Sequence, residues 1–139
     1  MKIINGKGQV LGRLASYVAK EALKGEEFAI LNCDAMIITG KKVSIKREFE
    51  ESRSRFGHSQ KGPKHHATSI KIVKRTIRGM LPDFRMGRGK EAFKRIKCYV
   101  GIPTEFEGKE IIELPLVKKF KSSTVKEFTK EYNYFIDYI

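Results

Sequence analysis

The opening stretch from Lys2 to Asn32 leaves few folds open. Lys2–Asn5 reads as a short strand, Gly6-Lys7-Gly8 as a tight turn, Val10 to Leu23 as a helix and Phe28 to Asn32 as a short apolar strand suited to burial. Within the helix Leu11, Leu14, Ala15, Val18 and Ala22 share one face, while Arg13, Tyr17, Lys20 and Lys24 occupy the other. Gly25 ends it. Strand, helix and strand in so short a span argue for a largely parallel sheet covered by helices, an α/β fold.

The rest of the chain is read against that start. Met36 to Thr39 is a second extended piece, and after Thr39-Gly40-Lys41-Lys42 a charged helix runs to about Arg53, with Ile45, Phe49 and Phe56 on its apolar side. Ser54 to Thr68 has no apolar period and contains Gly57, Gly62 and Pro63, so a long loop is expected there. The central helix starts at Ser69, a good N-cap, and stops at Gly79-Met80-Leu81-Pro82. Its predicted core face is Ile70, Val73, Ile77, Met80 and Leu81. A turn carrying Arg85 and Arg88 follows, in which Gly87 and Gly89 let backbone approach a partner. Next come a helix over about Lys90 to Ile96 and a strand over Cys98 to Gly101.

From Ile102 the character changes. Ile111 to Val117 is an edge strand at best, because Pro115 breaks it. Thr124-Val125-Lys126-Glu127 has the form of a capping box that opens a short helix to about Tyr132, and the apolar end, Tyr132 to Ile139, is expected to pack back. We therefore expect one α/β domain over residues 1–103, with a basic region at 41–97, and a C-terminal extension over 104–139 that packs on the domain or on a neighbouring protein.

Charge is what points to function. Residues 1–40 hold 5 basic and 4 acidic side chains, residues 41–97 hold 18 and 5, and residues 98–139 hold 6 and 7, so the whole net charge of +13 lies in the middle. Such self-repulsion gains a domain no stability, and a polyanionic partner is the natural explanation. At about 100° per residue Lys71, Lys74, Arg75 and Arg78 form one stripe of the central helix. Acidic residues at i, i+4 that would neutralise the stripe are missing. The candidate nucleic-acid contacts are Lys41, Lys42, Arg53, Arg55, His58, Lys61, Lys64, His65, His66, Lys71, Lys74, Arg75, Arg78, Arg85, Arg88, Lys90, Lys94 and Lys97. Without an aromatic RNP motif or a GxxG clamp, recognition should be of folded shape and backbone, which favours RNA.

Other chemistries have thinner support. Gly6-x-Gly8-x-x-x-Gly12 before a helix could hold a pyrophosphate in a small nucleotide-binding enzyme, with Asp34 on the ribose, but its third glycine is one place late for GxGxxG. His58, His65 and His66 lack a helical HxxxH spacing or paired carboxylates, so no metal is expected on them. Cys33 and Cys98, far apart and without a CxxC pattern, read as small buried hydrophobes. A DNA-bending protein would need a minor-groove wedge or an isolated recognition helix. No apolar run approaches the roughly 20 residues that span a bilayer, and the N-terminus has no secretion signal, so a soluble cytoplasmic protein is expected.

Specific motifs sharpen this reading. Arg78-Gly79-Met80-Leu81-Pro82, then Gly87-Arg88 and Arg95-Ile96-Lys97-Cys98-Tyr99-Val100-Gly101, closely resemble the ribosomal protein L13 (uL13) family of the large subunit. Val10-Leu11-Gly12-Arg13-Leu14-Ala15-Ser16 and Thr39-Gly40-Lys41-Lys42 match the same family in the same order, so the likeness covers most of residues 5–103. The loop Gly62-Pro63-Lys64-His65-His66 and the tail resemble its archaeal and eukaryotic branch, and the short length favours an archaeal member. The resemblance implies a three-layer α/β/α domain with a small, mostly parallel four-stranded sheet. It implies binding to large-subunit rRNA among neighbouring ribosomal proteins, a part in early subunit assembly, no cofactor and no enzymatic activity. It places the RNA surface at Lys41, Lys42, Arg78, Arg85, Arg88 and the basic residues beside them.

Overall fold

A computed structural model describes residues 1–55, 65–115 and 121–130. Its elements are β1 (Lys2–Asn5), α1 (Leu11–Leu23), β2 (Phe28–Leu31), β3 (Ile37–Thr39), α2 (Lys42–Ser54), α3 (Ser69–Met80), α4 (Gly87–Lys94), β4 (Ile96–Cys98) and β5 (Ser122–Thr124). The fold is α/β. Strands β1, β2 and β4 form a parallel sheet in the order β1-β2-β4, with Ile4 opposite Ile30 and Ile30 opposite Cys98. The helical crossover between β1 and β2 is the one expected from the first 32 residues.

A fourth sheet position is filled by one residue. Ile112 bridges in parallel to Ile4 on the free side of β1, and its N–H donates to the Ile3 carbonyl at 2.8 Å. Pro115, which has no N–H to give, lies three residues on and limits the pairing. Strands β3 and β5 form a separate antiparallel pair.

Alternation along the strands divides the core in two. Ile4, Phe28, Ile30, Ile96 and Cys98 face α1, α3 and Ala92 of α4 in the main cluster, and fully burying such side chains contributes about 1.5–3 kcal/mol each. Ile3, Ala29 and Leu31 face the other way, onto Phe106, Tyr99 and Ile111. The second face is thus covered by the chain between Tyr99 and Ile112, with a 3-10 turn at Thr104–Phe106, and this third layer is thin.

Three local expectations need correction. In α3 the buried residues are Ser69, Ile72, Val73 and Ile77, with Leu81 just beyond, whereas Ile70 is half-buried and Met80 is 44% exposed. The core side is rotated toward Ile72, and Met80 sits where the helix runs past the sheet. Thr68, not Ser69, is the N-cap, and Ser69 is the first helical residue. Helix α4 begins at Gly87 and ends at Lys94, so the strand after it starts at Ile96, two residues earlier than expected.

The C-terminal part reaches back into the main core. Thr124 and Glu127 form the expected capping box, but it heads a short 3-10 turn, Val125–Phe128, which buries Val125 and Phe128. The Val125 N–H donates to the Met36 carbonyl at 2.8 Å. The expected packing of Tyr132 to Ile139 lies outside the described residues, as does most of the long loop. No helix among the described residues is long and apolar enough to cross a membrane.

Candidate nucleic-acid interface

Helix α3 sets the geometry of the site. Ile72, Val73 and Ile77 anchor it to the sheet and α1. At about 100° per residue, Lys71, Lys74, Arg75 and Arg78 then span an arc of about 100° on the opposite side. Lys71 and Arg75 are exposed, while Lys74 and Arg78 are half-buried along their stems. None of the four forms an ion pair among the described residues.

Arg75 is held at its outer end. Its Nη1 lies 2.6 Å from His65 Nδ1, and since a guanidinium can only donate, this imidazole nitrogen accepts. Burial, followed by the nearby cations Arg75, Arg55 and Arg53, holds the His65 pKa below the ordinary histidine value. Burial, then Lys71, Arg75 and Arg78, does the same to His66. Both rings therefore favour the neutral form, which suits the acceptor role of His65. A groove of about 260 Å³ runs beside them, between Glu48, Phe49 and Ser52 of α2 and Lys71, Arg75 and Thr76 of α3.

Beyond the C-terminus of α3 lies an arginine cluster that charge counting only partly revealed. The Arg78 guanidinium sits over the Phe84 ring at 4.6 Å from its centroid, and that of Arg85 sits over the same ring at 5.5 Å. One aromatic ring thereby gathers two cations that would otherwise repel each other. Phe84 was absent from the expected contacts, and its only sequence signal is an aromatic residue directly before an arginine in the turn. The Arg85 N–H donates to Asp83 Oδ1 at 3.0 Å and fixes that turn. Arg88, Lys90 and Lys94 are exposed on α4.

Other expected contacts have different surroundings. Lys97 lies on β4, paired with Ala29, so it points to the sheet face away from α3 and is not brought to this site. Arg53 turns inward: its Nη2 donates to the Phe128 carbonyl at 2.6 Å and its guanidinium lies 5.3 Å from the Phe49 ring centroid. Phe49 itself stacks on Phe128 with centroids 5.5 Å apart. Desolvation lowers the Arg53 pKa, which accords with a fold-directed role. Arg55 is exposed just after α2, whereas His58, Lys61 and Lys64 lie outside the described residues.

Lys41 and Lys42 stand at the N-terminus of α2, in an open cleft completed by Lys121 and Ser122. The Lys42 ammonium pairs with Glu127 at 2.6 Å. Lys121 was not foreseen, because nothing in sequence signals that β5 would bring it beside β3.

In the Gly6–Gly12 turn the N–H of Gly6 donates to the Leu31 carbonyl at 2.9 Å, that of Gly8 to Ala35 at 3.1 Å and that of Lys7 to Asn5 Oδ1 at 3.1 Å. The amides of Gly6, Lys7 and Gly8 are thus used inside the fold rather than presented to a pyrophosphate. Gly87 and Gly89 have internal reasons as well. Gly87 has a left-handed φ of +56°, and a Cβ on Gly89 would strike the carbonyls of Pro82 and Asp83, so the fold itself requires both glycines. Cys33 and Cys98 lie buried in the main cluster, and the hydrogen bond with the Cys98 thiol, followed by burial, raises the Cys33 pKa.

Comparison with known proteins converges on one family. Residues 1–105 match the model for ribosomal protein L13. The chain is 44% identical over 115 residues to the large ribosomal subunit protein uL13 of Methanosarcina barkeri, covering 82% of this chain and 81% of that protein. It is 40% identical over 129 residues to uL13 of Methanococcoides burtonii, covering 93% and 91%. Against uL13 of Methanosphaera stadtmanae the identity is 44% over 115 residues, covering 81% and 80%. With its α/β fold and a match over most of its length, the chain belongs to the ribosomal protein L13 family.

Proposed function

We propose that this protein is a structural, non-enzymatic component of the large ribosomal subunit that binds large-subunit rRNA and supports early assembly. The observation that carries the reading is α3: four cations on the side opposite its core contacts, without ion-pair partners among the described residues, beside the Arg78–Phe84–Arg85 cluster. A side so charged stays solvated or meets a polyanion, and counterion release makes the second favourable. Residues 1–103 form the rRNA-binding unit and residues 104–139 an extension that packs on it through Ile112 and Val125. The contacts are Arg75, Arg78, Arg85, Arg88 and their basic neighbours on α3 and α4, with Lys41 at the α2 end.

The test is the salt dependence of binding to a large-subunit rRNA fragment. If Z phosphates are neutralised, log K falls against log salt with a slope of about −0.7 Z to −0.9 Z. The Arg75→Ala/Arg78→Ala double variant should keep its fold and lose about 1.4 to 1.8 from the magnitude of that slope. An unchanged slope would place the interface elsewhere. In a lysate the protein should sediment with the large subunit and resist a moderate salt wash, and duplex DNA should compete poorly with the rRNA.

A further inference from the structure

A glycine within a helix is a cost, since alanine holds the helix better. Among the described glycines all but two have an internal reason, either a positive φ or a neighbour that a methyl group would strike. The exceptions are Gly12 and Gly79. Each has ordinary helical φ, lies exposed on its helix, and has no atom within 4 Å of where a Cβ would stand. Gly12, in the first turn of α1, lies between Leu11 and Arg13. Gly79, in the last turn of α3, follows Arg78 directly and precedes the turn that carries Phe84 and Arg85.

The surroundings of Gly79 say what kind of group would come so close. The last carbonyls of a helix have no intrahelical donor. No backbone N–H among the described residues donates to the Gly79 carbonyl, and Pro82, three residues on, has none to offer. These carbonyls carry partial negative charge and repel a phosphate, but they accept from a hydroxyl. The Arg78 and Arg85 guanidiniums, held within about 10 Å of each other by the Phe84 ring, supply positive charge just beyond them. Carbonyl acceptors flanked by paired guanidiniums match the alternation of ribose 2′-hydroxyl and phosphate along an RNA strand.

Resting on the rRNA-binding reading, we propose that the last turn of α3 at Gly79 is the point of closest approach between protein backbone and RNA backbone, with a ribose against the terminal carbonyls and its phosphates on Arg78 and Arg85. Phe84 acts here as a positioning residue. With both guanidiniums over its ring it presents them as a unit rather than serving as a platform for a base.

The experiment compares wild type, Gly79→Ala and Phe84→Leu for thermal stability and for binding to a large-subunit rRNA fragment across a salt series. Gly79→Ala is expected to melt no lower than wild type, yet to bind about tenfold more weakly with an unchanged salt slope, because a methyl group blocks approach without removing charge. A structural role would move stability and affinity in the same direction. Phe84→Leu should reduce the slope. For wild type, replacing ribose by deoxyribose throughout the fragment should weaken binding, and Gly79→Ala should discriminate less between the two. A Gly79→Ala protein that binds RNA as wild type does overturns the inference while leaving the rRNA-binding reading intact. A wild type that binds no large-subunit rRNA overturns both.

Discussion

Gly89 is where the arginine-bearing turn is locked to the rest of the fold, and adding one methyl group there measures how firmly. Gly89 is the third residue of α4 and is buried. A Cβ on it would stand 2.5 Å from the Asp83 carbonyl oxygen and 2.9 Å from the Asp83 carbonyl carbon, and it would also strike the Pro82 carbonyl. All three are backbone atoms of the turn, so no side chain can swing aside. Either the turn or the start of α4 must retreat by about 1 Å, and overpacking of this kind costs about 1–3 kcal/mol. Alanine returns about 0.5–1 kcal/mol of helix propensity. The net expectation is a loss of up to about 2.5 kcal/mol, which for a chain of this size lowers Tm by up to roughly 10 °C. Urea unfolding followed by circular dichroism should show a lower midpoint with an unchanged m-value. Gly12→Ala is the control: it meets open space and should gain about 0.5–1 kcal/mol. A Gly89→Ala protein stabilised as much as Gly12→Ala would refute the packing of the Pro82–Asp83 turn on α4. It would also remove the reason for treating Arg85 as fixed in place.

Two further outcomes separate fold from interface. Arg53→Ala should cost about 1–3 kcal/mol, because the Phe128 carbonyl loses its donor, yet leave the salt slope of rRNA binding unchanged. A slope that falls as far as in Arg75→Ala would put Arg53 on the RNA. The lowered pKa values of His65 and His66 mean that the unfolded chain binds more protons than the folded one just below the ordinary histidine value of 6.5, so stability should fall as pH drops through that range. A phosphate backbone favours the protonated rings, so rRNA affinity should rise over the same range. The His65→Gln/His66→Gln variant should flatten both profiles, and a wild type whose affinity falls on acidification would separate these rings from the RNA.

How far the sequence revealed the fold differs from element to element. In α1 the period alone found Leu11, Leu14, Ala15, Val18 and Ala22, all buried because this side packs on α3 and α4, and it missed only Ala19 beside them. In α3 the same reasoning erred by part of a turn, since Ile70 and Met80 satisfy the period but sit at the margins of the packed region, and neighbouring elements decide which apolar residues are covered. Strand β5 could not be read at all. Ser122, Ser123 and Thr124 have no apolar alternation, and their pairing with Ile37, Ile38 and Thr39 arises only in the folded chain. The basic stripe was legible because charge repeats with the helix, whereas the ring of Phe84 under two arginines and the inward turn of Arg53 depend on tertiary neighbours.

The pairing of β3 with β5 has a consequence for how the protein is made. Met36 and the strand after it emerge early from the ribosome that synthesises them, but their partners, Ser122 to Val125, come about 85 residues later, and closing so long a loop is entropically costly. Helix α3 and the arginine turn are synthesised before that closure is possible. A nascent chain halted before Val125 would leave Met36 without a partner for its carbonyl and the Phe49 ring without Phe128 to stack on. Each new copy thus completes the packing of Met36 and Phe49 only when its C-terminal part arrives, after the basic stripe of α3 has been made.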